Sequence, residues 1–448
     1  MILTNIVYLL CKLYVVFNYK VHHCFNKLIV YMIKFNFLIT IILIAFLSSC
    51  DPGADDDYFN RKEPIETTIT SDDLNLKISY YGPLENTIYP SVILGLSNYS
   101  ARENYSLGLI KYKLTTPKNK CSLKIKLLQS TVNNETVFQE QLDLKGRKNE
   151  FFPKINWNYE KLKSLKQQGT VDLSFTCYID NKEIDNQSLR LSYRSVNECV
   201  YGMIDEDGNY VDLKWMFAAY VNEDHPEIDN FLQEVLNTRI INSFIGYQEG
   251  SEFSVLEQVY AIWYTLQTKN VKYTSITNTS NPSDKVFTQY VRFFDEVYSK
   301  TQANCVDASV FLCSVLKRIG IKPFLVLIPG HMYMGFYTKS DKSIFRLLET
   351  TMIGSIDLNE IYEDKTYVYN LNKYVNYLTI DTYNGYFNGI YSLEYVKKEI
   401  SLYSFIYAVD NNNTQWDNDL SKLNNPNNYH YQMFDIEELR KVVQPIGR

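Results

Sequence analysis

Between about Leu84 and Tyr201 the chain alternates apolar and polar positions in short runs: "CSLKIKLLQS", "TVFQEQLDL", "TVDLSFTCYI" and "QSLRLSYRS". A period of two is the mark of half-buried strands, and the polar connections "NNE" and "DNKE" supply the turns. One helical stretch, "NYEKLKSLKQQG", interrupts them. The simplest container for such a series is a β-sandwich over residues 85–205. It holds no compact group of His, Asp or Ser, so spacing or recognition is its expected task.

The period lengthens after "MIDEDGNYVDLKW". Pro226, followed by Glu227 and Asp229, opens a helix whose apolar face is Ile228, Phe231, Val235 and Leu236. "SVLEQVYAIWYTLQT" repeats Leu256, Val259, Ile262, Trp263 and Leu266 at helical spacing. Within Ser283–Lys300, Val286, Tyr290, Phe293 and Val297 also share a helical face. A helix follows from about Cys305 to Ile319, Gly320 stops it, and three strand patterns come next: "KPFLVLIP", "HMYMGFY" and "FRLLETTM". The order predicts an α+β unit over residues 206–448. Its end carries a polar connection, "NNNTQWDNDLSKLNNPNN", and a short helix in "FDIEELRKVV". There is no internal repeat.

The first fifty residues read differently. Lys34 precedes "FNFLITIILIAFLSSC", a positive region, an apolar core and small residues in the order of a secretory signal. Leu47-Ser48-Ser49-Cys50 resembles the cleavage box of bacterial lipoproteins, which implies acylation of Cys50 and a lipid anchor in the cell envelope. Residues 1–49 are the expected leader and 50–84, beginning "DPGADDD", a solvated tether. The alternative is an uncleaved anchor starting in "NIVYLLCKLYVVF".

Composition narrows the function classes. At 448 residues, two domains and a leader are expected, and with 15% aromatic residues the chain is not generally disordered. The leader carries four lysines and no acid, so its removal takes the formal charge from −6 to −10. Without a basic run, nucleic acid is not an expected partner. The cysteines beyond the leader, Cys50, Cys121, Cys177, Cys199, Cys305 and Cys313, lack metal-ligand spacing, and no metal or cofactor is expected. Cys121 and Cys177 read as core thiols or as a bridge, with core thiols preferred.

Candidate chemistry gathers in "NCVDASVFLCSVLKRIGIKPFLVLIPGH". Cys305 sits behind Asn304 at a helix start, where unpaired N–H groups and the dipole favour a thiolate. Shifting a thiol by two pKa units takes about 2.7 kcal/mol. An exposed helix terminus supplies about 0.3–1 kcal/mol, so an imidazolium is needed. His331, delivered by Pro329-Gly330 at a strand start, is the candidate. Strands folded about the loop near Ser340 would bring Glu349 opposite it to fix the ring.

These segments, with "YVRFFDEVYSKTQANCVDAS", "LVLIPGHMYMGFY" and "LLETTMIG" in order, resemble the transglutaminase-like cysteine-protease superfamily and, within it, a subgroup of bacterial envelope proteins. The resemblance runs from about Phe217 to Gly354. It implies a papain-like α+β domain after the all-β sandwich, with Cys305 as nucleophile, His331 as general base and acid, and Glu349 as orienting acid. Many superfamily members carry Asp at the third position, and Asp381 is the reserve. The backbone N–H of Cys305 is a candidate oxyanion donor, with Gln248, Gln258 or Trp263 as second contributor. Asp307 is expected to support the helix turn, Cys313 to pack, and His225 to serve a loop or cap. The implied reaction is acyl transfer from a peptide or protein amide by a peptidase or amidase. The rival is a catalytically inactive module of the same fold that binds peptide, glycan or protein.

Overall fold

The computed structural model describes residues 65–447 except 72–73, 97–98, 105, 116–119, 144–148, 277–282, 359–391, 424–427 and 429. The expected signal, the Cys50 lipidation site and Asp381 lie outside the described residues. The fold is mixed α+β, with a β-rich N-terminal region followed by a more helical one.

The first strands are β1 (Glu66–Ser71), β2 (Leu74–Tyr81) and β3 (Thr87–Ile88). The first two fall where a solvated tether is expected. β2 buries alternate residues, Leu74, Leu76, Ile78 and Tyr80, and this apolar face makes it a sheet strand. Two short helices, α1 (Pro90–Gly95) and α2 (Tyr99–Asn104), precede β4 (Leu109–Thr115), β5 (Lys120–Leu127), β6 (Thr136–Asp143) and β7 (Asn149–Phe151). Then come α3 (Tyr159–Ser164), β8 (Gly169–Ile179) and β9 (Lys182–Tyr193). One sheet has the order β1-β2-β4-β7 and the other β3-β9-β8-β5-β6. Their inner faces meet through Tyr112, Phe138 and Phe175, whose rings pack edge to face. Cys121 and Cys177 are buried, unbridged thiols. Burial, with the charges of Asp185 and Cys121, pushes the Cys177 thiol up to about 12.

Strand pairing and core packing cross residue 205. β10 (Glu198–Ile204) pairs with β11 (Tyr210–Asp212) on one side and β13 (Val286–Tyr290) on the other. Near the C-terminus, Gln444 N–H donates to Gly95 O of α1 (2.8 Å) and Ile446 N–H to Ala219 O (2.8 Å). Buried apolar residues from Ile69 to Ile446 form one cluster.

The helical region contains a 3₁₀ turn at Lys214–Tyr220, α4 (Glu227–Asn237), α5 (Glu252–Thr268), β12 (Lys272–Tyr273), β13, α6 (Phe294–Lys300), β14 (Gln302–Ala303) and α7 (Cys305–Arg318). The expected helix over Ser283–Lys300 is divided: Val286–Tyr290 is claimed by pairing with β10, and helix begins only at Phe294. Helix α7 is buried from Val306 through Leu316, as a helix apolar on nearly all sides must be. Against it lies the sheet β17-β16-β15-β18, formed by β15 (Pro323–Ile328), β16 (His331–Tyr337), β17 (Phe345–Leu348) and β18 (Gln432–Asp435). Both faces of β15 are apolar and buried, Leu325 and Leu327 in the main core and Phe324 and Val326 in a second cluster with Tyr333, Tyr337 and Leu347, which explains its unbroken apolar run. Gly335 faces Phe324 across the ladder; a Cβ there would come within 2.2 Å of the ring.

Two helices finish the chain, α8 (Leu393–Leu423) and α9 (Ile436–Leu439). Much of the expected polar connection after Asn411 is therefore helix. No helix among the described residues is long and apolar enough to cross a membrane.

Candidate active site

The start of α7 is built by reciprocal hydrogen bonds. Asp307 N–H donates to Asn304 Oδ1 (2.8 Å), and Asn304 N–H donates to Asp307 Oδ2 (3.0 Å), a capping box that fixes the first turn. Asp307 is fully buried and also accepts from Arg292, through its backbone N–H at 2.8 Å and Nη1 at 2.7 Å. Burial pushes the Asp307 carboxyl above its ordinary value, although the bonds from Asn304 and Arg292 oppose the rise. Asp307 thus supports the turn, as its position suggests. Cys305 heads the helix beside it, half-buried, with its N–H in the first turn where no intrahelical acceptor is in reach.

His331 is set by the β15–β16 hairpin. Gly330 takes a positive φ of 73°, the conformation a glycine adopts without a Cβ clash, and the turn pairs Ile328 with His331 at the end of the ladder. His331 Nε2 lies 2.8 Å from Glu349 Oε2. The other carboxylate oxygen accepts from Thr351 N–H (3.1 Å) and Thr351 Oγ1 (2.6 Å). With both oxygens engaged and the side chain buried, Glu349 has one orientation.

The electrostatics join three residues. Burial acts to lower the His331 pKa, but hydrogen bonds to Cys305 and Glu349, with the negative charge of both, raise it to about 10. For Glu349 burial acts upward, yet the bonds to His331 and Thr351 and the imidazolium charge hold its carboxyl below the usual value. Since Nε2 serves the carboxylate, Nδ1 is the ring nitrogen left for the thiol. Cys305 is half-buried, the His331 side chain is 26% exposed and that of Glu349 9%. Such a group can take a proton from a thiol, hold it on the imidazole, and return it to a leaving group.

Two further residues belong to this neighbourhood and escaped sequence reasoning. Thr350 Oγ1 lies 3.5 Å from Cys305 O and 3.3 Å from Ser309 Oγ, which itself donates to Cys305 O at 2.7 Å. The residue after Glu349 is thereby tied to the backbone of Cys305. Tyr273, on β12 beside β14, is raised in pKa by burial and by the charges of Cys305 and Glu349. Small hydroxyl residues following "LLE" were the visible signal for the first. A two-residue strand gave none for the second.

The three side chains expected as second oxyanion donors differ in how far they are committed elsewhere. Gln258 is buried and fully used: Oε1 accepts from Ile245 N–H and Gly246 N–H (both 3.0 Å), and Nε2 donates to Gly246 O (3.1 Å) and Ser254 O (2.9 Å). It fastens the loop before α5. Gln248 is exposed. Trp263 is fully buried in α5 against Phe405 of α8, ring centres 6.0 Å apart. None of the three makes a hydrogen bond to Cys305, His331 or Glu349 among the described residues. His225 is buried, accepts from Glu227 N–H (3.2 Å) at the start of α4 and packs on Phe294, a capping role. Cys313 is buried in α7, and burial pushes its thiol well up.

Two recesses lie in this part of the molecule, and neither is lined by Cys305, His331 or Glu349. A recess of about 10 Å³ is lined by Tyr273, Asn304, Ala308, Thr350 and Thr351 among others, room for about one water. A larger depression of about 670 Å³, lined by Glu227, Lys269, Asp295 and Tyr298, opens beside α6 and holds none of the three residues. Among the described residues no cluster of three or more His, Cys, Asp or Glu could hold a metal ion. A scan of protein-family models and searches of curated proteins and of solved structures give no match to this chain.

Proposed function

We propose that the chain is a transglutaminase-like cysteine enzyme of papain-like fold that transfers acyl groups from peptide or protein amides, most simply to water. The observation that carries the reading is that His331 Nε2 lies 2.8 Å from the Glu349 carboxylate, on a ring whose pKa the half-buried Cys305 at the head of α7 also acts to raise. His331 takes the thiol proton and the sulfur attacks the amide carbonyl, forming the C–S bond while the C=O electron pair moves onto oxygen. When that pair returns, the C–N bond breaks and His331 gives its proton to the amine. Water then adds to the thioester carbonyl as His331 takes its proton; the C–S bond breaks as the carbonyl re-forms, His331 returns the proton to the sulfur, and the acid leaves. Neither of the two recesses is lined by Cys305, His331 or Glu349, which leaves a second reading, a binding module without turnover. The lipoprotein-like run ending at Cys50 supports action in the cell envelope from a lipid anchor, which radiolabelled palmitate incorporation would test.

The deciding experiment incubates the full chain with p-nitrophenyl acetate and locates the acetyl adduct by mass spectrometry. The enzyme reading expects acetylation at Cys305, abolished in Cys305→Ala and slowed on the order of 10²–10⁴-fold in His331→Ala. Equal labelling of all three proteins would leave the binding module.

A further inference from the structure

We infer that Tyr273 is a further catalytic residue, donating its phenolic hydrogen bond to the oxyanion formed when Cys305 attacks a carbonyl. The inference rests on the acyl-transfer reading. Its first support is placement. β12 runs parallel to β14 with Tyr273 opposite Ala303, and Thr274 N–H donates to Ala303 O (2.9 Å), so Tyr273 is one strand spacing from the residue two before Cys305. Neighbouring strands lie about 4.8 Å apart, within reach of a phenol.

A second element pins the same strand from the acid's side. In the 3₁₀ turn Thr350–Ser355 that follows Glu349, Gly354 packs so closely on β12 that an added Cβ would be 2.9 Å from both Val271 O and Tyr273 N. β12 is thereby held between the segment carrying the nucleophile and the segment carrying the carboxylate. Tyr273 lines the small recess together with Asn304, Ala308, Thr350 and Thr351.

The state of the hydroxyl fits the task. Tyr273 is 50% exposed, so substrate can meet it, and among the described residues its hydroxyl makes no hydrogen bond. Burial and the nearby charges of Cys305 and Glu349 disfavour the phenolate, which keeps the group a donor at neutral pH. Gln258, by contrast, has committed both side-chain polar atoms. The Cys305 N–H at the head of α7 supplies the second donor. No proton changes hands: the carbonyl electron pair moves to oxygen as the C–S bond forms, is held by the two donors, and returns as the leaving group departs.

Two probes separate this role from tuning of the thiolate. Acetylation by p-nitrophenyl acetate passes through an oxyanion, whereas alkylation by iodoacetamide is displacement at a saturated carbon and develops none. In the full chain, Tyr273→Phe is expected to slow acetylation of Cys305 about 10²-fold, the loss typical of one oxyanion donor, and to leave alkylation within about twofold of the unmodified chain. The Phe ring keeps the packing, and a matching thermal melt checks the fold. Unchanged acetylation overturns the assignment, and so does an equal loss with both probes, which would make Tyr273 a modulator of the sulfur. If the unmodified chain alkylates at Cys305 but is never acetylated there, the acyl-transfer reading itself fails and takes this role with it.

Discussion

His331 Nε2 and Glu349 Oε2 lie 2.8 Å apart although the two residues are not partners in the sheet. The β16–β17 ladder pairs Met334 with Leu348 and ends there; Glu349 then caps the following 3₁₀ turn, and that change of direction swings its carboxylate onto the ring. Orientation is therefore what the carboxylate contributes first. Glu349→Gln is expected to lower Cys305 acetylation on the order of 10²–10⁴-fold, because an amide can hold the ring but can present its NH₂ to it and select the wrong tautomer. Glu349→Ala should do no better. Acetylation rates within twofold of the unmodified chain would remove Glu349 from the chemistry.

The same pair makes stability depend on pH. His331 in the folded chain keeps its proton up to about 10, against an ordinary 6.5, so between these values the folded state binds a proton that the unfolded state has released. Its contribution is full below pH 6.5 and is lost as pH rises through about 10. Glu349 works oppositely: its folded carboxyl is lowered from 4.5, so its contribution is present above that value and is lost as pH falls through the folded one. Urea unfolding of the full chain and of His331→Gln across the alkaline range is expected to show the gap between them closing toward pH 10. Parallel curves over that interval would contradict the coupling.

Much of this was legible in the sequence where local pattern and final structure agree. The start of α7 behind Asn304, the hairpin after Pro329-Gly330 and the alternating strands of the sandwich all rest on local signals. The expected facing of His331 and Glu349 used a register two residues from the observed one, and the observed ladder stops at Leu348, so the pair meets through the turn that Glu349 caps rather than through strand pairing. The strand at Val286–Tyr290 was hidden because its partner, β10, is almost ninety residues away, and helical spacing of Val286, Tyr290, Phe293 and Val297 outweighed it. In β2 the alternation was visible, but the acidic run before it drew the strand into the tether. Tyr273 was illegible for a related reason: β12 is two residues long and owes its place to β14 and to Gly354.

Gln258 offers a test of whether a fully hydrogen-bonded side chain acts at the site. Its side chain makes four hydrogen bonds, three of them to the loop at Ile245 and Gly246 and one to Ser254 O, and Gly246 has a positive φ of 54°. Gln258→Ala leaves those buried backbone groups without partners and is expected to cost about 1–3 kcal/mol each before relaxation, read as a lower urea midpoint. Acetylation per folded molecule should stay near that of the unmodified chain. A selective loss of acetylation at unchanged stability would return Gln258 to the list of oxyanion donors.

Arg292 tests whether the helix start positions the thiol. Its guanidinium meets the fully buried Asp307 at 2.7 Å, and its side chain is only 8% exposed. Removing one partner of such a pair strands the other charge, so Arg292→Ala is expected to destabilise the chain by about 3–5 kcal/mol. Replacing both, as Arg292→Met with Asp307→Leu, should recover much of that loss, because neither charge then has to be desolvated. Yet the double variant loses the bonds from Asp307 to Asn304 N–H and Arg292 N–H, and with them the reciprocal cap that fixes the first turn of α7. If the cap places Cys305 for His331, the double variant will be stable and still acetylate slowly, whereas the Asn304→Ala variant, costing about 1 kcal/mol as a lost cap, will show the same defect in milder form. A stable double variant that acetylates at the rate of the unmodified chain would show that the sheet and Thr350 hold the nucleophile without help from the helix cap.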